Sequence, residues 1–161
     1  MVLLSLKAYL KYMIEMMVVL IIIAVLIGVG IKFYLGYIEN SKVTKAKGQI
    51  SNMQALMDSW YAEKGEYPLS QTDEGDNTDL KADGCELREA GFKATKIDSG
   101  KEYIEDPWGG DNYYTFNVKL DKTKYYIKTK YANVNGTGKP VSGTGEKGVS
   151  NTPAVETPAS L

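Results

Sequence analysis

The chain has 161 residues, a net charge of −1 and a pI of about 5.6, so its overall charge does not favour nucleic acid or anionic lipid. It contains no histidine, which removes the commonest general base and the usual ligand of zinc and haem sites. Its one cysteine, Cys85, cannot form an internal disulfide or a metal cluster, and we expect no enzymatic activity, no cofactor and no bound metal.

The first element in the chain is an apolar helix with one charge near its start. Residues 16–31 read MMVVLIIIAVLIGVGI, an uninterrupted series of apolar or glycine positions. With residues 12–14 the run is long enough to cross a hydrocarbon layer, which needs about 20 residues. The carboxylate of Glu15 lies inside the run, where a charge costs roughly 2.5–3.5 kcal/mol at the membrane centre and less near an end. Glu15 is therefore expected to have a partner or a function; a headgroup-level Glu on a plain membrane anchor is the alternative.

The chain is predicted to remain helical after the apolar run, as far as Lys64. Apolar residues recur at spacings of three and four and form a single stripe. These residues are Val43, Ala46, Ile50, Met53, Met57 and Trp60. Gly65 is a typical helix-ending residue, and no proline interrupts residues 12–64. The pattern predicts one helix of about 53 residues, about 80 Å long at 1.5 Å per residue, with its second half packed on a small domain.

The remaining sequence predicts a small antiparallel sheet and a tail. Residues 66–112 are rich in turn formers, with a short helix expected at 80–89. Residues 113–119 (YYTFNVK) and 124–131 (KYYIKTKY) alternate and predict a hairpin, with a third strand expected near 103–105. A hairpin is marginal alone, so we expect it to lie on the helix stripe. Gly, Ser, Thr and Pro dominate residues 133–161, which predicts a flexible tail.

Three motifs in this order resemble one family, the type IV pilins and type II secretion major pseudopilins. Residues 14–26 (IEMMVVLIIIAVL) resemble its N-terminal signature, a short leader followed by a mature helix with Glu at the fifth position. Tyr67-Pro68 resembles the Tyr-Pro that follows the helix in major pseudopilins. Asp106-Pro107-Trp108-Gly109 resembles the element that opens their sheet. The resemblance covers roughly residues 11–132 and implies an α+β, pilin-like fold, with a long N-terminal helix packed on a small antiparallel sheet.

The patterns and the resemblance together divide the chain into four segments. Residues 1–10 are leader-like, 11–38 form the transmembrane and filament-core helix, 39–132 the globular domain, and 133–161 the tail. The filament core is expected to contain Met16, Val19, Leu20, Ile23, Leu26 and Ile27.

The resemblance implies a structural subunit that leaves the membrane to form a homo-oligomeric, helical filament. That filament is a type IV pilus-like fibre on the cell surface or a periplasmic pseudopilus. The inner-membrane assembly machinery and a prepilin peptidase are the implied partners. In the family the Glu pairs with the N-terminal amine of a neighbouring subunit, so Glu15 is expected to set axial register. The alternatives are a minor or competence pseudopilin that binds DNA and a plain single-pass anchored domain.

Processing is expected between Leu10 and Lys11, where Leu10 stands in place of the family's Gly. Either the leader is removed and Glu15 pairs between subunits, or residues 1–10 stay and Lys11, four residues earlier, neutralises Glu15 within one chain. We favour removal, because a retained leader would bury several additional leucines in the filament axis.

Two further motifs and one basic segment invite other interpretations. Gly143-x-Gly145-x-x-Gly148 matches the dinucleotide fingerprint but has no predicted strand before it, so we interpret it as coincidence. Asp79-x-Lys81-x-Asp83 resembles part of a calcium loop, but a lysine takes a ligand position. The lysine- and tyrosine-rich hairpin has the composition of a single-stranded nucleic-acid surface. We interpret it instead as a solvated face over an aromatic core, or as a surface that meets the acidic residues 73–89 of an adjacent subunit.

Overall fold

The computed structural model describes residues 2–68, 79–82, 84–119, 121–129 and 140–155. They divide into two compact units, Met1–Ile38 and Glu39–Leu161, which are treated separately below. The helix α1 is followed by seven strands. Their bounds are α1 Val2–Lys64, β1 Lys96–Asp98, β2 Lys101–Tyr103, β3 Tyr114–Val118, β4 Lys124–Thr129, β5 Val141–Glu146, β6 Val149–Ser150 and β7 Ala154–Val155.

Helix α1 is ten residues longer at its start than the sequence predicts. It begins at Val2 and has 63 residues, so it runs through the leader-like segment. That segment is rich in leucine and has neither glycine nor proline, so no residue in it opposes a helix. The end at Lys64 is as predicted. Gly65 adopts a φ of 77° and donates its N–H to the carbonyl oxygen of Tyr61 at 2.8 Å, which closes the last turn.

The second half of α1 buries the predicted stripe in the core of the globular unit. Five of its members are buried, and the indole of Trp60 is half-buried. The buried members are Val43, Ala46, Ile50, Met53 and Met57. They pack in one cluster with β3 and β4 residues such as Phe116 and Ile127. Gln54 lies beside the stripe and is equally buried, which the sequence pattern does not predict.

The main sheet has the strand order β3-β4-β5-β6, with β7 paired to β5. The predicted hairpin is confirmed as β3 and β4, which pair antiparallel from Tyr114 opposite Thr129 to Val118 opposite Tyr125. On both strands one set of alternating residues is buried: Tyr114, Phe116 and Val118 on β3, and Tyr125, Ile127 and Thr129 on β4. A long N-terminal helix with an antiparallel sheet on its second half confirms the predicted α+β, pilin-like fold.

The prediction of a flexible tail is wrong for residues 141–155. β5 pairs along β4, and β6 and β7 pair with β5, all antiparallel. The linker-like composition misleads because the glycines are packing residues. A Cβ at Gly143 would lie 2.5 Å from Cγ2 of Ile50, and one at Gly145 would overlap the ring of Tyr125. Only glycine lets β5 approach the helix and β4 so closely.

Two smaller elements also differ from prediction. The strand expected near 103–105 is β2, which pairs with β1 in a separate two-stranded sheet, and Glu105 forms a single bridge to Tyr113. The described residues of the helix expected at 80–89 form a series of turns. The carboxylate of Asp79 accepts the N–H groups of Lys81 and Glu102, and Leu80 donates to the carbonyl of Glu102. These bonds tie the segment to β2 and compete with helical hydrogen bonding.

Candidate functional site

The first unit exposes apolar side chains on every side of α1. The six predicted filament-core residues are between 46% and 66% exposed. They are Met16, Val19, Leu20, Ile23, Leu26 and Ile27. By length and composition α1 can cross a membrane, and none of its most apolar segment is buried within the chain. An apolar surface of this extent marks a membrane or protein contact.

Glu15 is the only acidic residue among residues 6–38, and its side chain is exposed. Lys11 lies one helical turn earlier on the same face, because side chains four residues apart align along a helix. The two do not form an ion pair in the described part of α1. The bond between Leu10 and Lys11 lies inside the helix, so both predicted processing residues have helical backbone.

Tyr67 and Pro68 follow the end of the helix and are both buried. The ring of Tyr67 lies 4.7 Å, centroid to centroid, from those of Tyr61 and Tyr125. Its hydroxyl oxygen accepts the backbone N–H of Gly148 at 2.7 Å. Burial raises the pKa of Tyr67 above its usual range. The Tyr-Pro pair thus locks the chain leaving α1 against β4 and the β5–β6 turn.

The Asp106–Gly109 segment is a turn that fastens the sheet to the helix. Asp106 is buried, and its Oδ1 accepts the N–H groups of Trp108 at 2.9 Å and Gly109 at 3.3 Å. Proline at the second position and glycine at the fourth suit this turn. The indole N–H of Trp108 donates to Oε1 of Glu39 at 2.8 Å. The motif is therefore a structural clamp on the first helical turn of the globular unit.

The basic hairpin retains little uncompensated charge in its described part. Three of its lysines form ion pairs within the chain. These are Lys119 with Asp121 at 2.7 Å, Lys124 with Glu146 at 2.8 Å, and Lys122 with Glu66 at 2.7 Å and Glu86 at 3.5 Å. Lys130, Tyr131 and the acidic residues 73–78 lie outside the described residues. The described hairpin therefore lacks the row of free cations that a nucleic-acid groove needs.

The aromatic residues of the hairpin are mostly engaged inside the fold. Tyr125 is buried, and Tyr113 stacks on Tyr103 with ring centroids 4.3 Å apart. Stacking of bases requires exposed rings, and the rings of Tyr125 and Tyr113 are already covered by other residues of the chain. Tyr126 is half-buried, with Nζ of Lys128 5.9 Å from its ring centroid. These tyrosines support the interpretation of the hairpin as a solvated face over an aromatic core.

The described part of the calcium-like motif forms hydrogen bonds with the backbone. Asp79 holds the backbone of Lys81 and Glu102, and Asp83 lies outside the described residues. Across the described part of the chain, no three acidic or cysteine side chains are grouped to hold a metal ion. The Asp79 carboxylate is a turn-forming group here.

A polar network that sequence reasoning missed joins α1 to the C-terminal strands. Nε2 of Gln54 donates to the carbonyl oxygens of Thr144 at 3.1 Å and Asn151 at 2.8 Å. Oγ of Ser150 donates to Oδ2 of Asp58 at 2.7 Å and lies 2.5 Å from the hydroxyl of Tyr125. The available signal was a Gln and an Asp four residues apart beside an apolar stripe.

The sequence model of the family described as "Type II secretion system (T2SS), protein G" matches residues 34–140, well over half of the chain. The chain belongs to this family of major pseudopilins. No significant match was found among curated proteins or among solved structures. The predicted family is thereby confirmed. The pseudopilin is a structural subunit of a type II secretion system rather than a member of a known enzyme family.

The match covers the two central motifs of the pseudopilin but not its ends. Tyr67-Pro68 and the Asp106–Gly109 turn lie inside residues 34–140, whereas Glu15 precedes the matched region and β5 follows it. The clamp motifs therefore belong to the family's shared globular domain. Residues 1–33 of the pseudopilin, which include the apolar run, lie outside the matched region.

Proposed function

We propose that the pseudopilin is held in the membrane by the helix of residues 11–38 and then polymerises into a filament with this helix at its core. The supporting observation is the first unit of α1, which is apolar on all faces and interrupted by one acid, Glu15. Among the described residues, none of the most apolar segment of this helix is buried. It can leave lipid only for copies of itself, and a repeated non-symmetric contact of this type generates a helical array.

Glu15 is proposed to fix the axial register of that array. A carboxylate moved from water into an apolar core costs several kcal/mol unless it is paired. In a bundle of otherwise featureless apolar helices, one such charge penalises every stagger that leaves it without a cation. The cation is the N-terminal amine of a neighbouring subunit if the leader is removed, or Lys11 if it is retained.

The favoured outcome for the leader is removal between Leu10 and Lys11. Because this bond lies within α1, a peptidase must act on a locally opened helix, and the first turns of a helix open most easily. Intact mass and N-terminal sequencing of the assembled subunit test this step. A chain beginning at Lys11 is expected; a chain beginning at Met1 in filaments would make Lys11 the cation to test.

The assembled form is proposed to be a periplasmic pseudopilus or a surface fibre, built by inner-membrane assembly machinery. Negative-stain microscopy of the sheared surface fraction and of isolated envelopes tests filament formation. Fibres are expected in at least one fraction. Membranes that contain only monomers under all expression conditions would contradict the proposal.

Variants of one side chain test the register. Glu15→Leu is expected to insert into membranes at least as well as the wild type, because it removes a charge from the apolar run, but to abolish or misregister assembly. Glu15→Gln keeps the size and removes the charge, so it separates charge from shape. Glu63→Leu, an exposed acid in the globular half of the same helix, is the matched control and should assemble normally. Filaments of wild-type number and helical rise from Glu15→Leu would disprove the register role.

A further inference from the structure

The aromatic residues of the first unit lie in two groups at either end of the apolar run. Tyr9 and Tyr12 precede it, and Phe33, Tyr34 and Tyr37 follow it; all five are 63% to 77% exposed. Residues 13–32 contain no aromatic side chain. Tyrosine has an apolar ring and a polar hydroxyl, and in membrane proteins such rings concentrate where hydrocarbon meets headgroups.

The distance between the two groups matches the thickness of a hydrocarbon layer. From Tyr12 to Tyr34 an α-helix rises about 33 Å at 1.5 Å per residue. A bilayer core is about 30 Å thick. The lysines agree with this placement. Lys11 lies between the two tyrosines of the first group, and Lys32 is close enough to the second group for its ammonium to reach the headgroups along its flexible stem.

We propose that the tyrosine groups around Tyr12 and Tyr34 bind the two headgroup interfaces of a phospholipid bilayer. They fix the hydrocarbon span of the membrane-held pseudopilin at residues 13–33. This rests on the membrane-held state of the proposed function. Packing against second copies of the chain would also cover these rings. It would not explain why the two groups lie one bilayer thickness apart, or why no aromatic residue lies between them.

The proposed hydrocarbon span determines the environment of Glu15 before assembly. It lies about 4.5 Å along the helix inside Tyr12, at 1.5 Å per residue, so its carboxylate can extend back to hydrated headgroups. The charge therefore stays solvated in the membrane and loses its water only when the helix enters the filament core. The Leu10–Lys11 bond lies beyond Tyr12, outside the hydrocarbon and on the same side.

Spin-label depth measurement on the full chain tests the span. Single cysteines replace Met13, Met16, Ile23 and Leu35 in a Cys85→Ser background, reconstituted in phosphatidylethanolamine–phosphatidylglycerol vesicles. Accessibility to oxygen and to a water-soluble nickel chelate then gives the depth of each label. Labels at 13 and 35 are both expected to be shallow, with the label at 35 about 3 Å nearer water, because they lie about 15 Å and about 18 Å from Ile23 at 1.5 Å per residue. The label at 16 is expected about one helical turn deeper than the label at 13, and the label at 23 deepest. A depth maximum displaced from Ile23 by more than one helical turn would overturn the inference. If such a chain still floats with the vesicles, it is anchored in the membrane, and only the proposed span is wrong.

A second pair of variants tests whether the tyrosines set the depth. Tyr34→Leu with Tyr37→Leu removes both tyrosines of the second group, leaves Phe33, and makes the residues from Phe33 to Ile38 apolar or glycine. The depth maximum should then shift toward residue 25. Ile22→Leu with Val25→Leu changes only lipid-facing aliphatic residues and should leave it at Ile23. An unshifted maximum in the tyrosine variant would show that these rings do not position the helix. A chain that fails to float with vesicles at all would instead reject the membrane-held state itself.

Discussion

The two halves of α1 share one continuous backbone but differ in what covers their apolar residues. In the first half Ile23 is 46% exposed, and the same holds broadly for its neighbours on all sides of the helix. In the second half Ile50 is fully buried, and lysines and polar residues occupy the opposite face. An apolar stripe is satisfied by one sheet of the same chain, whereas an all-round apolar surface needs several neighbours.

The polar residues of the two halves follow the same division. In the second half Gln49 accepts the hydroxyl of Tyr114 at 2.9 Å, and Gln54 and Asp58 bond to the C-terminal strands. In the first half the Glu15 side chain is exposed and has no such hydrogen-bond partner among the described residues. Polar groups in the globular half complete an internal fold. The single acid of the first half has its proposed role in contacts between subunits.

The largest expected effect comes from truncating the same residue type in each half. Ile50→Ala should destabilise the globular unit by about 2–5 kcal/mol, because it leaves a cavity in a close-packed core. Ile23→Ala, the matched control, should leave that stability unchanged. Trp60 and Trp108 both lie in the globular unit, so tryptophan fluorescence during denaturation in detergent reports that unit selectively. Equal losses from both variants would show that the halves are not energetically separate.

A second effect tests the glycine contacts of β5. Gly143→Ala should destabilise the globular unit by about 1–3 kcal/mol, because the added methyl overlaps Ile50 and Gln54. Gly48→Ala is the control: nothing lies within 4 Å of its Cβ position on the exposed helix surface, and it should stabilise by up to about 1 kcal/mol. Chemical denaturation of both variants decides. A neutral Gly143→Ala would mean that β5 does not pack closely on the helix.

Local sequence patterns predicted the elements whose conformation does not depend on residues far away in the chain. The stripe from Val43 to Met57 repeats with helical period, and Tyr114, Phe116 and Val118 alternate with strand period. Gly65 marks the helix end by its own conformational freedom. Glu15 was singled out in the same way, since a charge inside an apolar run is visible without any structure, and its role in assembly stays a prediction.

The elements that escaped prediction depend on residues far away in the chain. β5 has the sequence VSGTGE, with little strand propensity, and its glycines fit only because Ile50 and Tyr125 occupy the space beside them. The expected helix at 80–89 gives way because Asp79 and Leu80 bond to Glu102. Gln54 and Asp58 had no visible role because their partners lie in a segment interpreted as a tail.

A third effect, spread over a range of pH, is a loss of stability at alkaline pH through buried tyrosines of the globular half. Burial raises the pKa of Tyr114 and of Tyr125 well above the ordinary value of 10. Above pH 10 the unfolded chain releases these protons while the folded chain keeps them, so stability is present below pH 10 and is lost as pH rises. Each tyrosine contributes up to about 1.4 kcal/mol per pH unit in that window. Denaturation between pH 8 and 11.5 should show the loss, with a shallower slope in Tyr114→Phe and in Tyr125→Phe. Unchanged slopes in both variants would contradict it.

The smallest expected effect concerns the boundary of the globular half, where Glu39 accepts the indole N–H of Trp108. Trp108→Phe retains most of the aromatic packing and removes the donor, and Glu39→Leu removes the acceptor at similar size. A part-buried bond to a charged group contributes about 1–2 kcal/mol, so each single variant should lose about that much.

A double-mutant cycle isolates the bond: if it is real, the two losses are not additive, and the double variant is little worse than either single one. Because Trp108 is one of the two fluorophores, far-ultraviolet circular dichroism should follow unfolding. Additive losses would mean that the Asp106–Gly109 turn is held by its internal hydrogen bonds alone and does not clamp the helix.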